Sequence, residues 1–244
     1  EIAISIRILA GGSFLDVSKA YGVSWPTLYE TFNTFLEVLS SNKVPGCEVN
    51  FPHRDLKALR KLADDFSQTT SNHPALYGCV GALDGVAIKI LRPSRRAIHN
   101  PLDYFNRKGF CAVNCQAICD SNMCFLFVSA KSAGSSHDST AFSRSKFAKR
   151  WAAQEGRHRF WVAADEAYNA TENVVTPWPG RNLDPAKDAF NYHFSGGNRN
   201  VIERAFGMMF QRWRILWNGP GINIRRAAKV ILSCAALQNY CIRK

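Results

Sequence analysis

A chain of 244 residues, 46% of them hydrophobic, is long enough to bury a full core, and one large domain with a small appended unit is the natural arrangement. No apolar run approaches the roughly 18 residues that a membrane span needs, and nothing at the start has the pattern of a cleavable secretory signal, so a soluble protein is expected. The first residue is Glu1 rather than Met, as in a piece trimmed from a longer parent. The net charge of +12 is unevenly placed. Residues 1–75 carry seven Lys/Arg against eight Asp/Glu, a balance of −1, whereas residues 76–244 carry 24 against 11, a balance of +13. A basic excess confined to one part of the chain points to a polyanion partner, because each neutralised phosphate releases counterions. A merely soluble basic protein would carry the same count.

In chain order, residues 1–40 predict three helices. Glu1–Ala10 is apolar-periodic and stops at Gly11-Gly12; Phe14–Tyr21 follows; Gly22-Val23-Ser24 makes a tight turn. Ser24 can cap the third helix, Trp25 to Ser40, with Pro26 in its first turn, where a missing N–H costs nothing. The pattern is that of a helix-turn-helix, but the would-be recognition helix holds Glu30 and Glu37 and no Lys or Arg. A helix that enters the major groove brings Arg, Lys, Asn or Gln to it, so a packing or protein-contact role is expected here. Residues 41–75 are a connector around one charged helix at Asp55–Phe66.

After His73-Pro74 the pattern changes to strands. Tyr77–Leu91 is a nearly continuous apolar run broken only by Asp84-Gly85. Gly109–Cys119 and Met123–Ala130 are two more strands, joined by the turn Asp120-Ser121-Asn122. Cys111, Cys115 and Cys119 recur every four residues without a paired C-x-x-C or H-x-x-x-H, so they fit one face of a strand as free thiols better than a zinc cluster. Reduced thiols suit a nuclear or cytosolic setting. Ser136–Trp151 reads as a helix, Phe160–Ala164 as a short buried strand, and residues 176–198 as a polar, Pro/Gly-rich stretch. Helices are then expected from Asn200 to Trp217 and from Ile224 to Ile242. Three antiparallel strands, a helical crossover, a fourth strand parallel to the first and then helices is the order of an α/β, ribonuclease-H-like mixed sheet with flanking helices. The implied organisation is a helical, helix-turn-helix-like unit with its connector at 1–75 and the mixed-sheet domain at 76–244.

Four acids stand out within this pattern. Asp84 interrupts an apolar strand, where a bare charge is expensive unless it is paired or bound to metal; a turn or bulge acid before Gly85 is the plain alternative. Asp165 sits at the C-terminal edge of Phe160–Ala164, where open α/β sheets present ligand-binding groups. Glu166 is adjacent and points to the other face, so spacing alone does not choose between them. Glu203 borders a core stripe of Ile202, Ala205, Phe206, Met209, Trp213 and Leu216. Asp138 falls in the first turn of the helix after Gly134-Ser135-Ser136-His137 and either stabilises that turn or reaches toward Asp84. Hard divalent cations such as Mg²⁺ or Mn²⁺ take oxygen ligands, and two such ions can activate an attacking water or 3′-hydroxyl and stabilise the leaving oxygen. A strand-centre Asp, a strand-end Asp and a helix acid can converge on such ions although 81 and 38 residues separate them.

Six motifs in succession carry a resemblance to a known family: Gly81-Ala82-Leu83-Asp84-Gly85; Tyr104-Phe105-Asn106-Arg107-Lys108-Gly109-Phe110; Gly134-Ser135-Ser136-His137-Asp138-Ser139; Ala164-Asp165-Glu166-Ala167-Tyr168; Val201-Ile202-Glu203-Arg204-Ala205-Phe206-Gly207; and Arg212-Trp213-Arg214-Ile215-Leu216. Over nearly its whole length the chain resembles the PIF/Harbinger transposase-derived nucleases. That resemblance implies a catalytic triad of Asp84, Asp165 and Glu203, with Asp138 as a further metal-site acid, and a nuclear protein that works on DNA with a Myb-like partner supplying much of the targeting. Two positions depart from the family pattern: Ala167 replaces the Gly of Asp-x-Gly-Tyr, and Leu237-Gln238-Asn239 replaces Leu-His-Asn. Arg107, Lys108, Arg204 and Arg212 are candidate DNA-phosphate contacts, as is the basic loop of Arg92, Arg95 and Arg96. His137 is expected to orient its surroundings rather than act as a base.

The function expected from all this is a divalent-metal-dependent DNA endonuclease or transposase catalytic domain, with homo-oligomerisation left open. The alternatives are a domesticated derivative that keeps the fold to bind DNA or protein and cleaves nothing, and, more distantly, a non-enzymatic helix-turn-helix regulator.

Overall fold

The structure, a computed structural model, describes residues 1–69, 76–153, 159–217 and 221–244. Three short elements open it: α1 (Ile2–Leu9), α2 (Phe14–Tyr21) and α3 (Trp25–Ser40). Local chemistry sets their ends. The hydroxyls of Ser13 and Ser24 accept the Asp16 and Thr27 backbone N–H groups at the starts of α2 and α3, and Gly22 closes α2 in the left-handed conformation that a residue without Cβ adopts freely. Helix α4 (Leu56–Thr69) buries Leu59, Ala63 and Phe66. The expected boundary between two units at residue 75 lies outside the described residues.

Five strands make one mixed sheet: β1 (Cys79–Lys89), β2 (Ala112–Cys119), β3 (Phe125–Ala133), β4 (Trp161–Ala163) and β5 (Val174–Val175), in the order β3-β2-β1-β4-β5. Strand β1 is antiparallel to β2 and parallel to β4, β2 is antiparallel to β3, and β4 is parallel to β5. The three-strand meander followed by a parallel fourth strand is the arrangement expected of a ribonuclease-H-like sheet. The turn between β2 and β3 is built by Asp120, whose carboxylate accepts the Asn122 and Cys124 N–H groups while Met123 takes a positive φ of 67°.

Both faces of the sheet are covered. On one side lie α8 (Asn200–Arg212) and α9 (Ile224–Arg243), whose Ile202, Ala205, Phe206, Met209, Val230 and Ile231 join Ala82, Ile88, Cys115, Cys119 and Ala163 in the largest core cluster. The cluster continues into Ile4, Ile8, Leu28, Phe32 and Leu36 of the N-terminal helices. On the other side α5 (Asp138–Ser143) and α6 (Lys146–Ala152) bring Phe142, Phe147 and Trp151 against Leu83, Ile118, Val162 and Ala164. Asn239 ties α9 to the sheet: its Oδ1 accepts Phe125 N–H at 2.7 Å, and its Nδ2 donates to the Phe125 and Glu48 carbonyls at 2.8 Å each. Helix α3 packs against α9 through an ion pair between Glu37 and Lys229, and Arg226 lies over the Tyr29 ring.

Several expectations are corrected. The helix expected over Ser136–Trp151 is two, because Ser145 caps a new start by accepting Ala148 N–H. The stretch at 176–198 contains α7 (Pro185–His193), begun by Asp184, whose carboxylate accepts the Ala186 and Lys187 N–H groups, and then a π-helical turn at Phe194–Arg199. The helix expected to reach Trp217 ends at Arg212; Trp213 leaves helical geometry at φ −106°, ψ 75°, and a 3-10 turn covers Arg214–Leu216. The short edge strand β5 was not foreseen. All eight cysteines are free, and Cys111, Cys115 and Cys119 face the same core, as the strand reading requires.

Candidate active site

Alternation along β1 places Asp84 on the α8 side of the sheet, with Val86 and Ile88, while Leu83 and Gly85 face the α5 side. In the parallel pair Ala82 is matched with Ala163. Asp84 lies two residues after Ala82 in β1 and Asp165 two residues after Ala163, past the end of β4, and the two carboxyls are within electrostatic reach of each other. Asp84 Oδ1 accepts Gly85 N–H at 2.7 Å, and Asp165 Oδ1 accepts Ala167 N–H at 2.9 Å. Burial pushes the Asp84 carboxyl up to about 7, and the charges of Asp165 and Asp138 add to the rise; the Gly85 N–H and the Arg199 guanidinium oppose it. Burial likewise raises Asp165, with Asp138 and Glu166 adding to it and the Ala167 N–H and Arg199 working against it.

Glu203 lies on the exposed border of α8, one helical turn after Arg199, and pairs with it at 2.5 Å. Arg199 therefore faces three acids: it is ion-paired with Glu203 and sits within electrostatic reach of Asp84 and Asp165. It closes the π-helical turn, in which Phe194 is fully buried and stacks on Trp161 of β4, so the wider turn sets where the guanidinium stands. Gly207, one turn further along α8, leaves open space beside it.

Asp138 is on the opposite face. It sits over Gly85, where an added Cβ would come within 2.2 Å of its Oδ1 and 2.4 Å of Gln116 Nε2. Its Oδ1 accepts from Asn114 Nδ2 at 2.8 Å and Gln116 Nε2 at 2.9 Å, and Gln116 Oε1 accepts the Tyr168 hydroxyl at 2.7 Å. Gln116 is 1% exposed and Tyr168 5%, so this polar chain is buried. It links β2, the start of α5 and the turn that follows Asp165.

The sequence-predicted acids thus divide. Asp84 in β1 and Asp165 past the end of β4 feel each other's charge, Glu203 is tied to them through Arg199, and Asp138 reaches them from across the sheet by its charge. Glu166 is exposed. Among the described residues no three His, Cys, Asp or Glu side chains stand close enough to enclose a metal ion by themselves. The donor set nonetheless suits a hard divalent cation: two carboxylates held in partly desolvated surroundings, both resisting ionisation, with one guanidinium as their nearby countercharge.

Ala167, in place of the family's Gly, takes no positive φ, so the turn that aims Asp165 closes without strain. Of the basic candidates, Arg107 and Lys108 are exposed at the rim of a cleft of about 490 Å³ beside Gly85 and Asp138. Arg204 is exposed on α8, while Arg212 donates to Gln238 Oε1 at 2.8 Å and so joins α8 to α9. Sequence reasoning missed Arg199, Asn114 and Gln116. The signal for the last two was there: two amides two residues apart, on one face of an otherwise apolar strand.

Comparison with known proteins agrees with the motifs. A family model described as DDE superfamily endonuclease matches residues 83–239. HARBI1 of Bos taurus and of Homo sapiens, whose name marks it as a candidate nuclease, is 26% identical over 247 residues in each species; the match covers 99% of this chain and 66% of theirs. A protein of Arabidopsis thaliana named ALP1-like is 23% identical over 261 residues, covering 99% of this chain and 60% of its own length. The chain therefore spans a little under two thirds of the curated relatives it matches. No solved structure matches it significantly. The family match starts one residue before Asp84 and ends at Asn239, taking in the four acids and the sheet that carries them, and the chain belongs to the DDE superfamily endonucleases.

Proposed function

We propose that this chain is the catalytic domain of a divalent-metal-dependent DNA endonuclease or transposase, with Asp84, Asp165 and Glu203 as its catalytic acids. The observation that carries this reading is that Arg199, ion-paired with Glu203, stands within electrostatic reach of both Asp84 in β1 and Asp165 just past the end of the parallel strand β4. Asp84 and Asp165 would hold the cation, with Glu203 completing the set when it exchanges Arg199 for it, and Mg²⁺ or Mn²⁺ is the fitting class for oxygen ligands. Asp138 acts from the far side of the sheet through its charge. When bound, such ions supply activation of an attacking water or 3′-hydroxyl and charge stabilisation at the leaving oxygen.

The chain's own contributions are positional and electrostatic. The Gly85 and Ala167 N–H groups fix the Asp84 and Asp165 carboxylates, so little reorganisation is needed when charge develops. Arg199 offsets their mutual repulsion while no cation is present. The basic balance of residues 76–244 draws the DNA to this part of the chain. A nuclear setting and a Myb-like targeting partner belong to the same proposal, since α3 offers no Lys or Arg to a major groove and uses Glu37 to hold α9.

The test is nicking of a supercoiled plasmid with Mg²⁺ or Mn²⁺. The wild-type chain is expected to nick only with metal, and Asp84→Ala not at all. Equal activity in both would remove the assigned site; no activity in either would make this chain a cleavage-silent descendant.

A further inference from the structure

We infer that the cleft beside Gly85, on the opposite face of the sheet from Asp84, is a subsite for a backbone phosphate of the bound DNA flanking the one to be cut. This inference rests on the endonuclease reading and adds a second point of contact to it.

Three observations meet at this cleft. The first is a donor without an acceptor. Asn106 is 5% exposed, and its orientation is fixed because Oδ1 accepts the Lys108 and Phe110 N–H groups at 2.9 and 3.4 Å. Its Nδ2 is buried with no hydrogen-bond partner, and Asn106 lines the cleft. A buried amide N–H left unmade is costly, and an incoming anionic oxygen would satisfy it. The second is the character of the walls. Arg107 and Lys108 follow Asn106 around a turn that Gly109 completes at φ +85°, both side chains are exposed, and Ser135 and Ser136 add hydroxyls.

Among the described residues of this wall the one carboxylate, Asp138, has its Oδ1 already taken by Asn114 and Gln116. With two exposed cations on the rim, the cleft is built for an anion rather than for a metal ion or an apolar group. The third observation is continuity. Ala167 lines the same cleft and donates its N–H to Asp165. One turn of chain therefore joins the cleft to the proposed catalytic carboxylate, and a strand lying across Asp165 has its neighbouring phosphate directed here. The volume of about 490 Å³ leaves room for a phosphate and its sugar. The contact is to phosphate and sugar, so it fixes register without reading sequence.

The experiment is fluorescence anisotropy of the full chain with a short labelled DNA duplex, in EDTA, so that cleavage plays no part. Asn106→Asp keeps the acceptor that Lys108 and Phe110 need but replaces the free donor with a charge that repels phosphate. It is expected to weaken binding about ten-fold or more, equally for unrelated duplex sequences. The double change Arg107→Gln with Lys108→Gln is expected to lower the slope of log affinity against log salt by about 1 for each charge removed. Wild-type affinity in a folded Asn106→Asp protein overturns the inference. If circular dichroism finds that variant unfolded, the double variant decides, because exposed side chains do not carry the fold: an unchanged salt slope overturns the inference and a reduced one upholds it. Plasmid nicking by wild type against Asp84→Ala judges the endonuclease reading separately, so either proposal can fail alone.

Discussion

Asp84 in β1 and Asp165, two residues past the end of the parallel neighbour β4, lie within electrostatic reach of each other, and the charge of Asp165 adds to the burial that raises the Asp84 carboxyl to about 7. This has a consequence for stability without metal. Below about 3.8 the carboxyl is protonated in both folded and unfolded chains. Between about 3.8 and about 7 the unfolded chain ionises while the folded one keeps its proton, so native stability falls as pH rises; above about 7 both are ionised and the contribution is lost. Thermal melts in EDTA are expected to drop through this window by on the order of 5 °C. Asp84→Asn should flatten the fall without abolishing it, because Asp165 and Asp120 are shifted the same way. A flat profile in the wild type would contradict the burial assigned to Asp84.

On the proposed reading Arg199 and a divalent cation compete for the same three acids. Removing the guanidinium with Arg199→Gln deletes the positive charge near Asp84 and Asp165 and frees Glu203 from its ion pair. Mn²⁺ titrated calorimetrically is expected to bind up to about ten-fold more tightly to the variant, the scale of one unit of carboxylate affinity. Weaker binding would mean that Arg199 is needed to shape the site rather than to hold it between cations.

The sheet and the two strand acids were legible because hydrophobic period and charge cost are local signals: an Asp inside an apolar run and an Asp at a strand end both announce themselves in sequence. The α8 stripe was legible for the same reason, since Ile202, Ala205, Phe206 and Met209 repeat at helical spacing and are all buried. The face occupied by Asp138 was not. It depends on which side of the sheet the crossover helix takes, and on Gly85 leaving the space that Asp138 fills. The role of Arg199 depends on a π-helical turn, whose wider winding displaces a side chain from the position that a 3.6-residue period predicts. Helix α7 was hidden by the Pro and Gly around it, although Asp184 before Pro185 is a sound start signal.

Gly85 is a packing requirement as much as a strand residue. A methyl group there would meet Asp138 and Gln116 at 2.2 and 2.4 Å, and both belong to a hydrogen-bonded network that cannot retreat without losing partners. Gly85→Ala is expected to destabilise the fold by roughly 1–3 kcal/mol in urea titrations. It should also reduce plasmid nicking more than that loss explains, since α5 and the Asp165 turn are linked through the same network. Wild-type stability would mean that Asp138 has an alternative seat.

Tyr168 tests that linkage with a single atom. Its hydroxyl donates to Gln116 Oε1 at 2.7 Å inside a buried chain that continues to Asp138, and its backbone N–H bonds the Asp165 carbonyl at 3.2 Å. Burial and the surrounding acids Asp84, Asp138 and Asp165 all raise the phenol, so it stays a neutral donor throughout the working range of pH. Tyr168→Phe keeps the ring against Phe142 but strands a buried amide oxygen, which costs about 1–3 kcal/mol. Gln116 is then free to turn its amide, and Asp138 loses one of its two donors. Urea titration should register the loss of stability. In the nicking assay the rate at saturating metal should fall while the metal concentration for half-maximal rate stays near wild type, because the Tyr168 hydroxyl donates to Gln116 and not to Asp84 or Asp165. A rise in the metal requirement with no change in the limiting rate would instead place Tyr168 among the groups that hold the cation.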